Sequence, residues 1–216
     1  INNNFGTCGV SSGAWVVPVK VGQPGFISGY GAQLSSILSA LNHIAQYDIP
    51  GDVVNISIAS YEGDDCNTSA GDLAETLRDA VELLGWSGVW VCSGAGNNND
   101  CTQADKNLTS CINSYHVISV GGMSQGRGCT NFSYGTSIDW LACTSSTSTY
   151  LNGVYAPADG TSLASPIVAG IIHARGGAPV SAGNIQCCVS EYKIAHLSPL
   201  NNLRFDADLE LVKFEV

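Results

Sequence analysis

Asp159-Gly160-Thr161-Ser162-Leu163-Ala164-Ser165-Pro166, followed by the apolar run Ile167-Val168-Ala169-Gly170-Ile171-Ile172, reads as a hydroxyl held at the N-terminus of a buried helix. Pro166 is expected in the first turn of that helix, where the N–H it lacks would have found no intrahelical partner. Gly160, Ala164 and Ser165 are small enough for a second backbone to come close. A nucleophile at Ser162 would stand at the positive end of the helix dipole. Free amides there stabilise negative charge developing on a bound carbonyl oxygen. A lone Gly-Thr-Ser is ordinarily a helix cap, so the rest of the chain has to agree with the stronger reading.

Outward from the octet, Asn152-Gly153 forms the centre of a tight hairpin over residues 150–155 that delivers the chain to Ser162. The helix is expected to end near Arg175-Gly176-Gly177. Towards the N-terminus, residues 15–21 read as a strand, 25–31 as a loop, and 30–47 as a helix with Leu34, Ile37, Leu38, Leu41 and Ile44 on one face. Residues 52–59 form a short apolar run of the kind covered on both faces. A helix over 69–84 follows, with Ser69 as cap, Leu73, Leu77, Ala80 and Leu84 facing inward, and Gly85 as stop. Residues 88–94, 117–120 and 138–142 read as further strands, and 206–216 alternates enough for a late one. Strand, helix, strand, helix, strand predicts right-handed crossovers and an α/β fold with a mostly parallel sheet. Ligands bind beyond the carboxyl ends of such strands.

The 216 residues, 44% of them hydrophobic, suffice for one substantial core, and no linker divides them, so a single unit over 1–216 is expected. No apolar run reaches membrane-spanning length, and Ile1-Asn2-Asn3-Asn4 lacks the character of a signal peptide. Eight basic against eighteen acidic residues, a formal charge of -10, argue against nucleic-acid and anionic-membrane partners. Nine cysteines without a C-x-x-C pair favour disulfides in an oxidising compartment, and the odd count leaves either a buried free thiol or a bond to another polypeptide. Asn67, Asn107 and Asn131 head glycosylation sequons in polar surroundings, whereas Asn55-Ile56-Ser57 is expected to be buried. Together these features favour a secreted protein.

The octet resembles the serine motif of the subtilisin-like proteases (subtilases), with Ser162 in the nucleophile's place. Further segments are similar in the family's order. Val53 to Ile58 resembles the strand beside bound substrate, and Val91-Cys92-Ser93-Gly94-Ala95-Gly96-Asn97 resembles the strand ending in Ala-Gly-Asn. Val117 to Gly121, Asn131 to Gly135 and residues 2–21 also look like family segments. The resemblance covers residues 1 to about 175. It implies a three-layer subtilisin-like fold, truncated at its N-terminus, and a serine endopeptidase acting on a polypeptide through an acyl-enzyme. It also implies that the Ser162 N–H and the Asn97 side chain donate to the oxyanion. Ser57, Ile58, Ala59, Ser93, Gly94 and Ala95 would edge the pocket for the residue preceding the cut, with Ala59 where the family usually has Gly.

In subtilases the acid and base precede the serine, in the order Asp, His, Ser, on segments absent from these 216 residues. His43, His116, His173 and His196 match no catalytic position. His173 stands three turns down the serine's own helix, on the order of 16 Å away. Asp64, Asp65 and Asp159 offer no substitute base. An unassisted serine is a weak nucleophile, so competence would require a second polypeptide carrying Asp and His. The other reading is a catalytically inactive subtilase-fold subunit of an extracellular assembly, its open sheet edge filled by another chain. The chemistry requires no cofactor, and Asn3 leaves room for a structural calcium ion.

Overall fold

The computed structural model describes residues 7–26, 29–58, 71–107, 109–129, 131–188 and 190–198. β1 (Gly22–Phe26) and β2 (Gly29–Ala32) form an antiparallel hairpin where a loop was expected, with Gln23 opposite Gly31. Because β2 holds the backbone to Ala32, helix α1 (Leu34–Tyr47) starts later than residue 30. Its apolar face is as expected: Leu41 is buried, and Leu34, Ile37, Leu38 and Ile44 lean on the same cluster.

β3 (Val53–Ile56) is followed by α2 (Gly71–Trp86), whose Leu77, Val81 and Leu84 are buried. Gly85 is not the stop. It stays helical because its missing side chain lets the helix approach β-sheet residue Val117, whose Cγ2 would be 3.3 Å from an added Cβ. The turn comes at Gly88, with φ 92°, a conformation that side chains resist. β4 (Trp90–Gly94) and β5 (Val117–Met123) are buried along their whole length, as expected of strands covered on both faces.

β6 (Trp140–Cys143) leads into the antiparallel hairpin of β7 (Ser145–Thr149) and β8 (Tyr155–Asp159). At its tip Asn152 and Gly153 have φ of 60° and 73°, the left-handed pair that Asn-Gly favours. α3 (Thr161–Arg175) ends where expected, at a left-handed Gly176 whose N–H bonds to the Ile172 carbonyl. β9 (Val180–Cys187) and β10 (Ser190–His196) complete the described elements.

The main sheet has the order β3-β4-β5-β6-β10-β9, parallel from β3 through β10, with β9 antiparallel at the far edge. Alternate residues face opposite layers. Val91 and Val117 pack with α1 and α2, whereas Trp90, Cys92, Ile118 and Val120 pack with Ala164, Val168, Ala169 and Ile172 of α3. Helices therefore cover both faces, giving the three-layer α/β arrangement.

Residues 15–21 form no strand: no described strand lies alongside to take their backbone groups, and Trp15 is 98% exposed. β3 ends the sheet, so its outer edge is open among the described residues, and Asn55 is exposed rather than buried. The expected strand over 206–216 and the cap Ser69 lie outside the described residues.

Disulfides Cys101–Cys188 and Cys129–Cys187 tie the loops after β4 and β5 to the β9–β10 turn, and Cys111 is disulfide-bonded as well. Cys8, Cys92 and Cys143 are free thiols, so the odd cysteine is not a single one. Leu84, 2% exposed between α2 and the sheet, gives a direct measure of this core. Leu84→Ala is expected to lower the unfolding free energy by about 2–5 kcal/mol. Urea denaturation would show it as a lower midpoint at unchanged slope.

Candidate active site

Thr161, buried at the first position of α3, organises the site. Its backbone N–H and its hydroxyl both donate to Asn97 Oδ1, each at 3.0 Å, and its Oγ1 accepts the Gly96 N–H at 3.1 Å. These three bonds join the carboxyl end of β4 to the start of α3. They also orient the Asn97 carboxamide, since a carbonyl oxygen committed to Thr161 puts the NH2 on the other side. The close approach explains Gly94, where a Cβ would stand 3.1 Å from the Thr161 carbonyl oxygen, while Gly160 is favoured by its φ of 150°, a conformation that side chains resist. Ser162 and Asn97 are both exposed, and Ser162 directly follows Thr161, Asn97's partner.

Pro166 is the sixth residue of α3 and so lies in the second turn, not the first. Without an N–H it leaves the carbonyl of Ser162, four residues back, without its helical donor. Ser57 Oγ donates to that carbonyl instead, at 3.0 Å. Asn55 Nδ2 donates to Ser57 Oγ at 2.9 Å, and Ser165 Oγ donates to Asn55 Oδ1 at 2.7 Å, closing a chain of bonds between β3 and the start of α3. Proline thus opens the helix ladder at the residue bearing the candidate nucleophile, and the sheet edge fills the gap.

The loop carrying Asn97 is held from below. The Ser133 backbone N–H donates to the Gly96 carbonyl at 3.1 Å, and its hydroxyl bonds both the N–H and the carbonyl of Asn98. Asn107 is fully buried and donates from Nδ2 to the Gly94 carbonyl at 3.0 Å. That corrects the expectation of a glycosylation acceptor: a buried amide used inside the fold is not presented to solvent. Asn131 is exposed.

The expected pocket residues divide. Ser57 is exposed and Ile58 half-buried, both following β3 at its carboxyl end. Ser93, Gly94 and Ala95 are buried beneath the surface, and Ser93 Oγ turns inward to Thr109 Oγ1 at 2.6 Å, so these residues back the site rather than wall it. Thr109 in turn donates to the Ile58 carbonyl at 3.2 Å. Ala59, Asn67 and Asn3 lie outside the described residues. Thr161, Ser133, Asn55, Ser165 and Thr109 were not anticipated as site residues. The nearest signal was Thr161 and Ser165 lying inside the serine octet.

The histidines stand apart from Ser162. His173 Nδ1 pairs with Ser11 Oγ at 2.7 Å, His116 Nδ1 donates to the Gly85 carbonyl at 2.8 Å, His43 stacks against Tyr47, and His196 bonds Ser198. Among the described residues no group of three His, Cys, Asp or Glu side chains could hold a metal ion.

The Subtilase family model matches residues 1–174 of the chain. The chain belongs to the subtilase family. It is similar to an extracellular protease of Xanthomonas campestris pv. campestris, 31% identical over 188 residues, which cover 79% of this chain and 29% of that protein. It is also similar to a thermophilic serine proteinase of a Bacillus species, 34% identical over 172 residues covering 79% of this chain and 38% of that protein. Among solved structures, a lanthipeptide protease superposes with a TM-score of 0.56 at 23% identity, over 66% of this chain and 52% of that one. A cold-adapted subtilisin-like proteinase gives 0.53 at 24% identity, over 66% and 48%. The subtilase chain thus spans about a third of the first two relatives and about half of the two solved chains.

Cys92 lies in β4 of this subtilase, below Gly94. Burial, with the Asp139 carboxylate adding to it, pushes its thiol far up from the ordinary range, so the reactive thiolate is not formed at neutral pH. With iodoacetamide at pH 8, the half-buried Cys8 and Cys143 are expected to alkylate in the native protein, and Cys92 only after denaturation. Intact-mass analysis would distinguish two additions from three.

Proposed function

We propose that this chain is the nucleophile-bearing part of a secreted serine endopeptidase, active when a further polypeptide segment supplies the acid and base. The observation that carries the reading is the Asn97–Thr161 link, which holds a carboxamide beside the N-terminus of the helix bearing Ser162. In this mechanism Ser162 Oγ attacks the peptide carbonyl as the supplied base takes its proton. The oxyanion of the tetrahedral adduct receives the Ser162 N–H and Asn97 Nδ2. Collapse of the adduct expels the amine, protonated by the same base, and water then hydrolyses the acyl-enzyme. The residue preceding the cut lies along Ser57, Ile58 and Ala59, with Ser93, Gly94 and Ala95 supporting them from within.

The supplied segment would add a strand to the edge of β3, which is open among the described residues. The share of its relatives' length that the chain spans supports the same division. Disulfides, the extracellular relative and the exposed sequon residue Asn131 support secretion, with glycans at Asn131 and Asn67. No cofactor enters the chemistry, and a structural calcium ion near Asn3 would serve stability alone.

A fluorophosphonate tests the reading, because it reacts with a serine only where a base is at hand. The intact protein is expected to label at Ser162, and Ser162→Ala to abolish labelling. Asn97→Ala is expected to slow it by about a hundred- to a thousandfold, the range measured for loss of this donor in subtilisin. The 216-residue chain alone is expected to label scarcely at all. Failure of the intact protein to label would overturn the proposal.

A further inference from the structure

A groove of about 330 Å³ lies beside the site, lined by Gln125, Ser145, Ser146, Thr147, Pro157, Ala158 and Asp159. Its place follows from the topology. The carboxyl ends of the parallel strands form a row, with Ser57 after β3, Asn97 after β4, Gln125 after β5 and Ser145 after β6. From β3 to β6 is three strand spacings, about 14 Å. The groove occupies the β5–β6 end of that row, and Ser57 and Ile58 the β3 end, with Ser162 reached from β8 between them.

We infer that this groove binds a lysine or arginine side chain of the polypeptide substrate, on the leaving-amine side of the cut. The assignment of sides rests on the reading above, in which Ser57 and Ile58 hold the residue preceding the cut. The preference for a cation rests on the groove's own chemistry. Among the described residues, Asp159 is the only charged one lining it, and no Lys or Arg does. Ser145 Oγ donates to Asp159 Oδ1 at 3.1 Å, which fixes the carboxylate and leaves Oδ2 without a protein partner among the described residues. Arg127, close in sequence to Gln125, directs its guanidinium at the Ala182 carbonyl on β9, at 3.3 Å. Pro157 lies on the same face of the β7–β8 hairpin as Asp159 and gives an apolar surface for the methylene stem, and the Thr147 hydroxyl on that face with the Gln125 amide supplies further acceptors. The volume lies at the lower end of ligand pockets, about 300–1,000 Å³, suiting one long side chain.

The test is a titration of the ¹⁵N-labelled chain with the amides of Gly-Lys-Gly and Gly-Glu-Gly at millimolar concentration. The lysine peptide is expected to shift the amides of 145–147 and 158–160, and the glutamate peptide to leave them in place. Asp159→Asn, which keeps the acceptor for Ser145, is expected to weaken the lysine peptide about tenfold, the loss of one charge-assisted contact, and Asp159→Glu to retain the preference. Equal shifts from both peptides, no shifts, or an unchanged affinity in a well-dispersed Asp159→Asn spectrum would overturn the inference. The titration needs neither a base nor a reactive serine. It can therefore fail while Ser162 still labels, and succeed where labelling fails.

Discussion

The structure turns on one short link, the pair of bonds from Thr161 to Asn97 Oδ1 and the return bond from the Gly96 N–H to Thr161 Oγ1. Hydrogen bonds of this kind contribute only about 0.5–1.5 kcal/mol each to stability, so their importance is geometric. They fix the start of α3 against the end of β4 with no side chain between, which is why glycine stands at 94. Any residue with a Cβ at 94 would press on the Thr161 backbone, which cannot yield without moving the helix that carries Ser162.

Around that link the fold supplies supports of unlike kinds. From the sheet edge, Ser57 occupies the carbonyl that Pro166 leaves open, and Asn55 and Ser165 lock it in place. From beneath, Ser133 and Asn107 hold the backbone on both sides of Asn97. From the far end of the sheet, a disulfide ties Cys101, four residues beyond Asn97, to Cys188. A polar site at the carboxyl edge of a parallel sheet has no apolar packing of its own, and hydrogen bonds to fixed backbone replace it.

How much of this was legible in the residues depends on the range of the interaction. The serine octet, the Gly-Ala-Gly-Asn strand end, the apolar face of α1 and the Asn-Gly hairpin are local patterns, and each was readable from its own residues. Pairing partners were not. The hairpin of β1 and β2 looks like a glycine-rich loop, and β9 and β10 join the sheet beside β6 through contacts no local periodicity reveals. Residues 15–21 carry a strand's composition but find no strand partner among the described residues, and composition does not supply one. Asn107 has the sequon of a surface residue and the position of a buried one, because its carboxamide fills a demand made by Gly94 some distance back along the chain. Pro166 lies a turn deeper in α3 than its local pattern suggests, because the helix start is set by the contact of Thr161 with Asn97, which lies far off in sequence.

The central claim is that the Thr161 link aims the Asn97 amide at the oxygen of an adduct on Ser162. A crystal structure of the intact protein with a phosphonate on Ser162 tests it most directly. The account predicts a phosphonyl oxygen about 2.7–3.1 Å from both Asn97 Nδ2 and the Ser162 backbone nitrogen, with Asn97 Oδ1 still on Thr161. An oxygen turned away from Asn97, or an Asn97 released from Thr161 with the adduct in place, would contradict it.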